Sequence, residues 1–133
     1  MKTIRVVIAV TMLLTASAVT MGLAQVQQAG VKRTELQRHD LSTPEREVIQ
    51  VRVDLEPGYA FPGHTHPGEE IIYVIEGTWE YLIGGQRVIA KSGDALFVPA
   101  GTVHSARNAG TGNAAELATY IVEKGQPLLT LVR

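Results

Sequence analysis

From Glu47 onward, short apolar segments alternate with turns rich in glycine and proline, and this pattern constrains the fold more than any other feature. Residues 49–55 are the clearest case, because isoleucine, valine and leucine alternate there with polar residues at period two, as in a half-buried strand. Further strand-like segments lie at 71–75, 79–83, 87–90, 95–98, 103–107 and 117–123. No segment of this region has a convincing amphipathic helical pattern. The sequence therefore predicts an all-β fold, an antiparallel sandwich or a small antiparallel jelly-roll barrel.

One turn can be predicted in more detail. Gly84 and Gly85 separate the segments 79–83 and 87–90, so only a two-residue connection is available. Both central positions of such a connection favour positive φ, which glycine adopts without a steric penalty. We therefore expect a tight β-hairpin at this point.

The first residues of the chain form a different kind of segment. Two cations, Lys2 and Arg5, precede a mostly apolar run over 6–19, and Gly22-Leu23-Ala24 has the small-x-small form of a cleavage site. This predicts a signal peptide over 1–24, with a permanent membrane anchor as the alternative. The mature protein is then periplasmic or secreted, with no membrane attachment, and consists of a polar N-terminal arm over 25–45 and a barrel domain over 46–133.

Composition excludes several classes of function. The chain has 12 lysines and arginines against 13 aspartates and glutamates, which gives a formal net charge of −1. Proteins that bind nucleic acid normally carry a basic excess, so no nucleic-acid partner is expected. The absence of cysteine excludes disulfide scaffolds, cysteine-ligated zinc, iron–sulfur clusters and thiol catalysis.

Histidine and glutamate carry the candidate chemistry. His64 and His66 are two residues apart, so on an extended strand their imidazoles face the same side. Glu70 follows closely, and His104 on a neighbouring strand would complete a four-ligand set for a divalent transition metal. For the His-x-His pair alone, a surface turn is the competing interpretation. Glu69 is the alternative carboxylate, and we expect His39, in the arm, to be solvated.

Residues 58–77 read GYAFPGHTHPGEEIIYVIEG and residues 93–108 read GDALFVPAGTVHSARN, separated by 15 residues. The spacing within these two segments resembles the two sequence motifs of the cupin superfamily, in the manner of small single-domain, quercetin-dioxygenase-like members. The first motif is matched by Gly58, His64, His66, Glu70 and Gly77. The second motif is matched by Gly93, Pro99, Gly101, His104 and Asn108.

The resemblance implies a metal site and a range of activities. The metal ligands would be His64, His66, Glu70 and His104, and Glu70 is also the candidate catalytic proton acceptor. We expect an exported metal-dependent dioxygenase that acts on a small enolic or phenolic compound. The alternatives are a non-oxidative metal-dependent lyase or isomerase, and a non-enzymatic cupin that binds a small molecule. Asn108 is expected to have a structural role.

Two further expectations concern the metal and the assembly. A protein exported unfolded must load its metal outside the cytoplasm, where affinity favours Cu, Ni or Zn over Fe or Mn for a site of imidazoles and one carboxylate. We expect one divalent ion per chain.

The resemblance also implies a homodimer, and an arm without a core of its own could protect a sheet edge by pairing with a partner.

Overall fold

The computed structural model describes residues 28–133, which form ten β-strands and, within that range, no helix. This confirms the all-β prediction. The strands are β1 (Val31–Asp40), β2 (Arg46–Leu55), β3 (Ala60–Thr65), β4 (Gly68–Glu76), β5 (Thr78–Ile83), β6 (Gln86–Lys91), β7 (Ala95–Val98), β8 (His104–Asn108), β9 (Ala114–Glu123) and β10 (Thr130–Leu131).

The strands form two five-stranded antiparallel sheets with a jelly-roll architecture. The first sheet has the order β1-β2-β9-β4-β7 and the second has the order β10-β3-β8-β5-β6. Neighbours in each sheet are mostly distant in sequence. Consequently β3 and β8, which carry two of the four candidate ligands, become adjacent strands.

The core lies between the two sheets and follows from the period-two pattern. In β2 every second residue is buried, from Glu47 to Leu55, and the residues between are half-buried. Three large aromatic side chains, Trp79, Tyr81 and Tyr120, are fully buried. The rings of Trp79 and Tyr81 stack with centroids 5.5 Å apart. Burial of side chains of this size contributes roughly 1.5–3 kcal/mol each to the free energy of unfolding.

The predicted hairpin is present between β5 and β6. Ile83 pairs with Gln86, which leaves only Gly84 and Gly85 in the connection. Their φ angles are 55° and 84°, the left-handed values that this turn requires.

Residues 31–40, which belong to the segment that we described as an arm, form the edge strand β1. This strand pairs with β2 of the same chain along its length, and Val31 is buried in the core. The predicted signal peptide over 1–24 lies outside the described residues. Among the residues described, no helix is long and apolar enough to cross a membrane.

Candidate metal centre

The four predicted ligands lie in one buried cluster between the two sheets. His64 on β3 and His104 on β8 are direct cross-strand partners, and His66 directly follows β3. One ring nitrogen from each of the three histidines lies within 4.8 Å of the others, a grouping that could hold a metal ion. Glu70 extends toward them from β4 in the opposite sheet. All four side chains are at least nine-tenths buried.

Backbone carbonyl groups orient all three imidazoles. Nδ1 of His64 lies 2.8 Å from the oxygen of Pro62, and Nδ1 of His104 lies 2.9 Å from the oxygen of Thr102. Nδ1 of His66 lies 2.5 Å from the oxygen of Leu128. A carbonyl oxygen can only accept a hydrogen bond, so each Nδ1 carries the proton. Each Nε2 therefore keeps a free lone pair, as a metal ligand requires.

The turn before β8 fixes two of these histidines together. Gly101 has a φ of 66°, and the amide of Thr102 donates to the oxygen of Pro99 at 3.1 Å. The amide of Gly101 also donates to the oxygen of His66 at 3.2 Å. The Pro-x-Gly sequence thus forms a tight turn that joins the backbone near His104 to the backbone of His66.

Glu70 lies close to two of the imidazoles, whereas Glu69 does not. Oε2 of Glu70 is 3.0 Å from Nε2 of His104 and 3.4 Å from Nε2 of His66. These three buried atoms have no hydrogen-bond partner of acceptable geometry within the described residues. Glu69 is partly exposed on the opposite face, where its nearest cation is Arg46 at 3.9 Å. A metal ion would satisfy the three unpaired atoms at once, so the donor set fits a divalent transition metal.

Burial and mutual proximity shift the pKa values of this cluster. Burial lowers the pKa of His64 to about 4, so this imidazole is neutral at pH 7. Burial opposes ionisation of Glu70, but the contacts with His104 and His66 outweigh it and place the pKa below its ordinary value. Burial likewise lowers the pKa of His104, yet the neighbouring Glu70 carboxylate raises it overall. Glu70 is therefore ionised, as a metal ligand or proton acceptor must be.

A second buried carboxyl group, Glu116 on β9, lies in the interior beside the histidine cluster. Its Oε2 accepts a hydrogen bond from the hydroxyl of Tyr81, and both side chains line the same cavity as His64 and Glu70. Burial and the negative charge of Glu70 raise the pKa of Glu116 to about 8. Glu116 was not among the site residues predicted from the sequence. Its signal was the alternation in β9, because Glu116 has the same parity as the buried Tyr120 and Val122.

The cavity itself is small. It contains about 20 Å³ of open space, which is enough for about one water molecule. Arg33, Phe61 and Tyr120 are among its lining residues. In this conformation the interior accommodates only a ligand with very few atoms without rearrangement of these side chains.

Two predictions about residues outside this cluster are confirmed. The side-chain amide of Asn108 donates to the oxygens of Leu55 and Gly112, and its oxygen accepts from the amide of Gly110. Asn108 thus serves the backbone, as expected. His39 is exposed on β1, away from the cluster.

Comparison with known proteins identifies relatives of the central part of the chain. A germin-like protein from Morus alba is 45% identical over 69 residues, which cover 47% of this chain and 33% of that protein. Germin-like protein 1-1 from Oryza sativa subsp. japonica is 37% identical over 79 residues, covering 55% of this chain and 37% of that protein. The chain thus spans only about a third of the length of these curated relatives.

Solved structures share the fold at low sequence identity. The structure of KdgF from Halomonas sp. superposes with a TM-score of 0.62 at 22% identity, covering 76% of this chain and 86% of that one. The polyketide cyclase RemF from Streptomyces resistomycificus gives a TM-score of 0.61 at 23% identity, covering 79% of this chain and 72% of that one.

The family model described as "Cupin domain" matches residues 51–122, which include both motifs and all four candidate ligands. The match extends over more than half of the chain, and the solved neighbours share its fold. This chain therefore belongs to the cupin family.

Proposed function

We propose that this protein is an exported cupin that holds one divalent transition-metal ion through His64, His66, His104 and Glu70. The observation that carries the proposal is the set of buried, unpaired ligand atoms on His66, Glu70 and His104. Protein interiors rarely leave such atoms without a partner, because each one costs roughly 1–3 kcal/mol. The three carbonyl contacts to Nδ1 support the same assignment, since they direct Nε2 toward a shared point.

We further propose that the protein is a metal-dependent dioxygenase acting on a small enolic or phenolic compound. A bound ion of this kind supplies a Lewis acid that lowers the pKa of an oxygen atom attached to it. Glu70 is the residue placed to accept the proton released, because it is ionised and lines the cavity beside two of the ligand imidazoles. The surrounding apolar side chains, Val53, Leu55 and Ile72, exclude bulk water from that proton transfer.

A second candidate function is a lyase or isomerase reaction that needs no oxygen. The observation in its favour is Glu116, whose pKa of about 8 keeps it protonated at neutral pH while Glu70 is ionised. Two carboxyl groups with opposite protonation states provide an acid and a base in one cavity, which suffices for moving a proton within a substrate. The third candidate function is a non-enzymatic cupin that binds a small molecule. Finding zinc with a fully occupied coordination shell would favour it.

Elemental analysis of protein from its native compartment, combined with oxygen-electrode assays, tests these functions. We expect Cu, Ni or Zn, because an exported chain loads metal where affinity order decides the outcome. Oxygen uptake with a flavonol or an acyclic β-diketone supports the dioxygenase. Stoichiometric Fe would contradict the loading argument. Zinc without oxygen uptake would contradict the dioxygenase and favour the other two functions.

Export is expected to remove residues 1–24. The charged start, the apolar run and Gly22-Leu23-Ala24 support cleavage after Ala24 by the general secretory route. Intact-mass measurement of exported protein should give a chain that begins at Gln25, with a small mass loss if that residue cyclises. An exported chain that still begins at Met1 would contradict the prediction.

We propose that the mature protein is a homodimer, and an apolar patch on the outside of the first sheet supports this. Ile71, Tyr73 and Phe97 are between 42% and 58% exposed, and Ile71 is the direct cross-strand partner of Phe97. Phe97→Glu places a charge in this patch and is expected to shift the light-scattering mass from dimer to monomer. Ile89→Glu is the matched control, because Ile89 is an apolar residue on β6 in the other sheet and is 45% exposed. A wild-type protein that is monomeric at tens of micromolar would contradict the dimer.

A further inference from the structure

Arg33 on the edge strand β1 places a guanidinium group against the metal cavity. In the antiparallel pair of β1 and β2, Arg33 is opposite Val53, and opposite residues share one face of the sheet. Both side chains line the interior cavity. The Arg33 side chain therefore points inward, although the sequence of β1 is mostly polar.

Two aromatic residues hold this guanidinium close to the histidines. Nη2 of Arg33 donates to the hydroxyl of Tyr120 at 2.8 Å, and Cζ lies 5.5 Å from the ring centroid of Phe61. The ring of Tyr120 is in turn 4.6 Å from that of His66, and the ring of Phe61 is 4.9 Å from that of His64. Only one side chain thus separates Arg33 from each of two candidate metal ligands.

The charge of Arg33 has no carboxylate partner in the part of the chain that the structure describes. All ten ion pairs found there involve other side chains. Arg33 is also the only lysine or arginine among the described residues that line this cavity. An arginine has five N–H donors, and the hydrogen bond to Tyr120 uses one of them. Donors therefore remain for a ligand.

The other ionisable groups of the cavity do not pair with this guanidinium. Glu70 is engaged with His66 and His104. Glu116 is hydrogen-bonded to Tyr81, and its raised pKa keeps it neutral at pH 7. With a divalent ion on the histidines, the interior has a net positive charge that an anionic ligand would offset.

From this geometry we propose that Arg33 forms the anion-binding end of the substrate site and selects a small organic carboxylate that also binds the metal. The inference rests on the metal site proposed above. A planar guanidinium matches a carboxylate through two parallel hydrogen bonds, so it favours this anion over a neutral ligand of the same shape. The open space of about 20 Å³ holds about one water molecule, so a carboxylate ligand enters only as the lining side chains move. Arg33 is half-buried on an edge strand, so it can adjust as the ligand enters.

Calorimetric titration with two ligands of nearly equal shape tests the inference. Pyruvate carries a carboxylate beside a keto group, and pyruvamide carries a neutral amide in its place. Metal content is measured first, so that failure to bind metal is recognised separately as a failure of the proposed function. Metal-loaded wild-type protein is expected to bind pyruvate at least roughly tenfold more tightly than pyruvamide, and Arg33→Gln is expected to remove this preference.

Two variants complete the design. Lys32→Gln removes one cation from the exposed face of the same strand and should leave the preference unchanged. Arg33→Lys should restore part of it. An unchanged preference in Arg33→Gln, or equal losses in Lys32→Gln and Arg33→Gln, would overturn the inference. If neither the wild type nor the variants hold metal, pyruvate titration of metal-free wild type and metal-free Arg33→Gln tests the inference. The wild type must then still bind pyruvate more tightly, because it alone has the guanidinium.

Discussion

Replacing both His64 and His104 with alanine is expected to abolish binding of the divalent ion, from one per chain to background. The two imidazoles come from adjacent strands and supply two of the three grouped ring nitrogens. Their removal leaves only His66 and Glu70, too few donors to hold the ion against exchange with water. Elemental analysis after gel filtration measures the effect, and each single alanine variant should lower metal content strongly.

Matched controls separate ligand loss from general damage. His39→Ala removes an exposed histidine and should leave metal content unchanged. Glu70→Gln removes a buried carboxylate beside two imidazoles, whereas Glu69→Gln removes its partly exposed neighbour on the opposite face. We expect weaker metal binding only for Glu70→Gln. Full metal retention by the His64→Ala/His104→Ala double variant would refute the assigned site.

The second large effect concerns Glu116 and the pH dependence of stability in metal-free protein. Its pKa is about 8 in the folded state, against about 4.3 in an unfolded chain. Between these values the folded state keeps a proton that the unfolded state has released, so the stabilising contribution is complete below about pH 4.3 and is lost as pH rises. The free energy of unfolding is therefore expected to fall by roughly 3 kcal/mol between about pH 5 and about pH 7.5.

Denaturant unfolding of wild type and Glu116→Gln at both pH values measures this effect. Glutamine fills the same space without titrating, so the stability of the variant relative to wild type should rise by up to roughly 3 kcal/mol over this range. Glu123→Gln, at an exposed position on the same strand, should show no such trend. If wild type and Glu116→Gln change in parallel with pH, Glu116 is not a protonated buried group.

The sequence was sufficient to predict the strands whose residues alternate, together with the grouping of the three histidines. Period two in residues 49–55 identified β2, and the Gly84-Gly85 pair identified the hairpin, because both are local signals. β3 was not predicted, since its sequence AFPGHT contains Pro62 and Gly63, which normally indicate turns. Its register with β8 is irregular between Phe61 and His64, which accommodates these two residues.

The inward-facing positions of Arg33 and Glu116 were not predicted from the sequence, for a different reason. Both are charged residues on inward-facing positions, and a charged residue is normally taken to mark the solvent face. Only the pairing of β1 with β2 shows that Arg33 shares the face of Val53. Likewise, only the packing of Tyr81 from the opposite sheet shows that Glu116 has a buried hydrogen-bond partner. The alternation in β9 indicates that Glu116 faces inward, but the inward face of Arg33 and the contacts of both residues depend on tertiary structure.

The placement of the candidate ligands on both sheets has a mechanical consequence under the proposed metal binding. His64 and His104 belong to the second sheet and Glu70 to the first, so a shared ion would cross-link the two layers of the sandwich. Separation of the layers would then require the ion to leave, which ties the rate of unfolding to the rate of metal release. In a chain without cysteine, the ion would take the role that a disulfide has in many exported proteins, with the difference that a chelator could remove it.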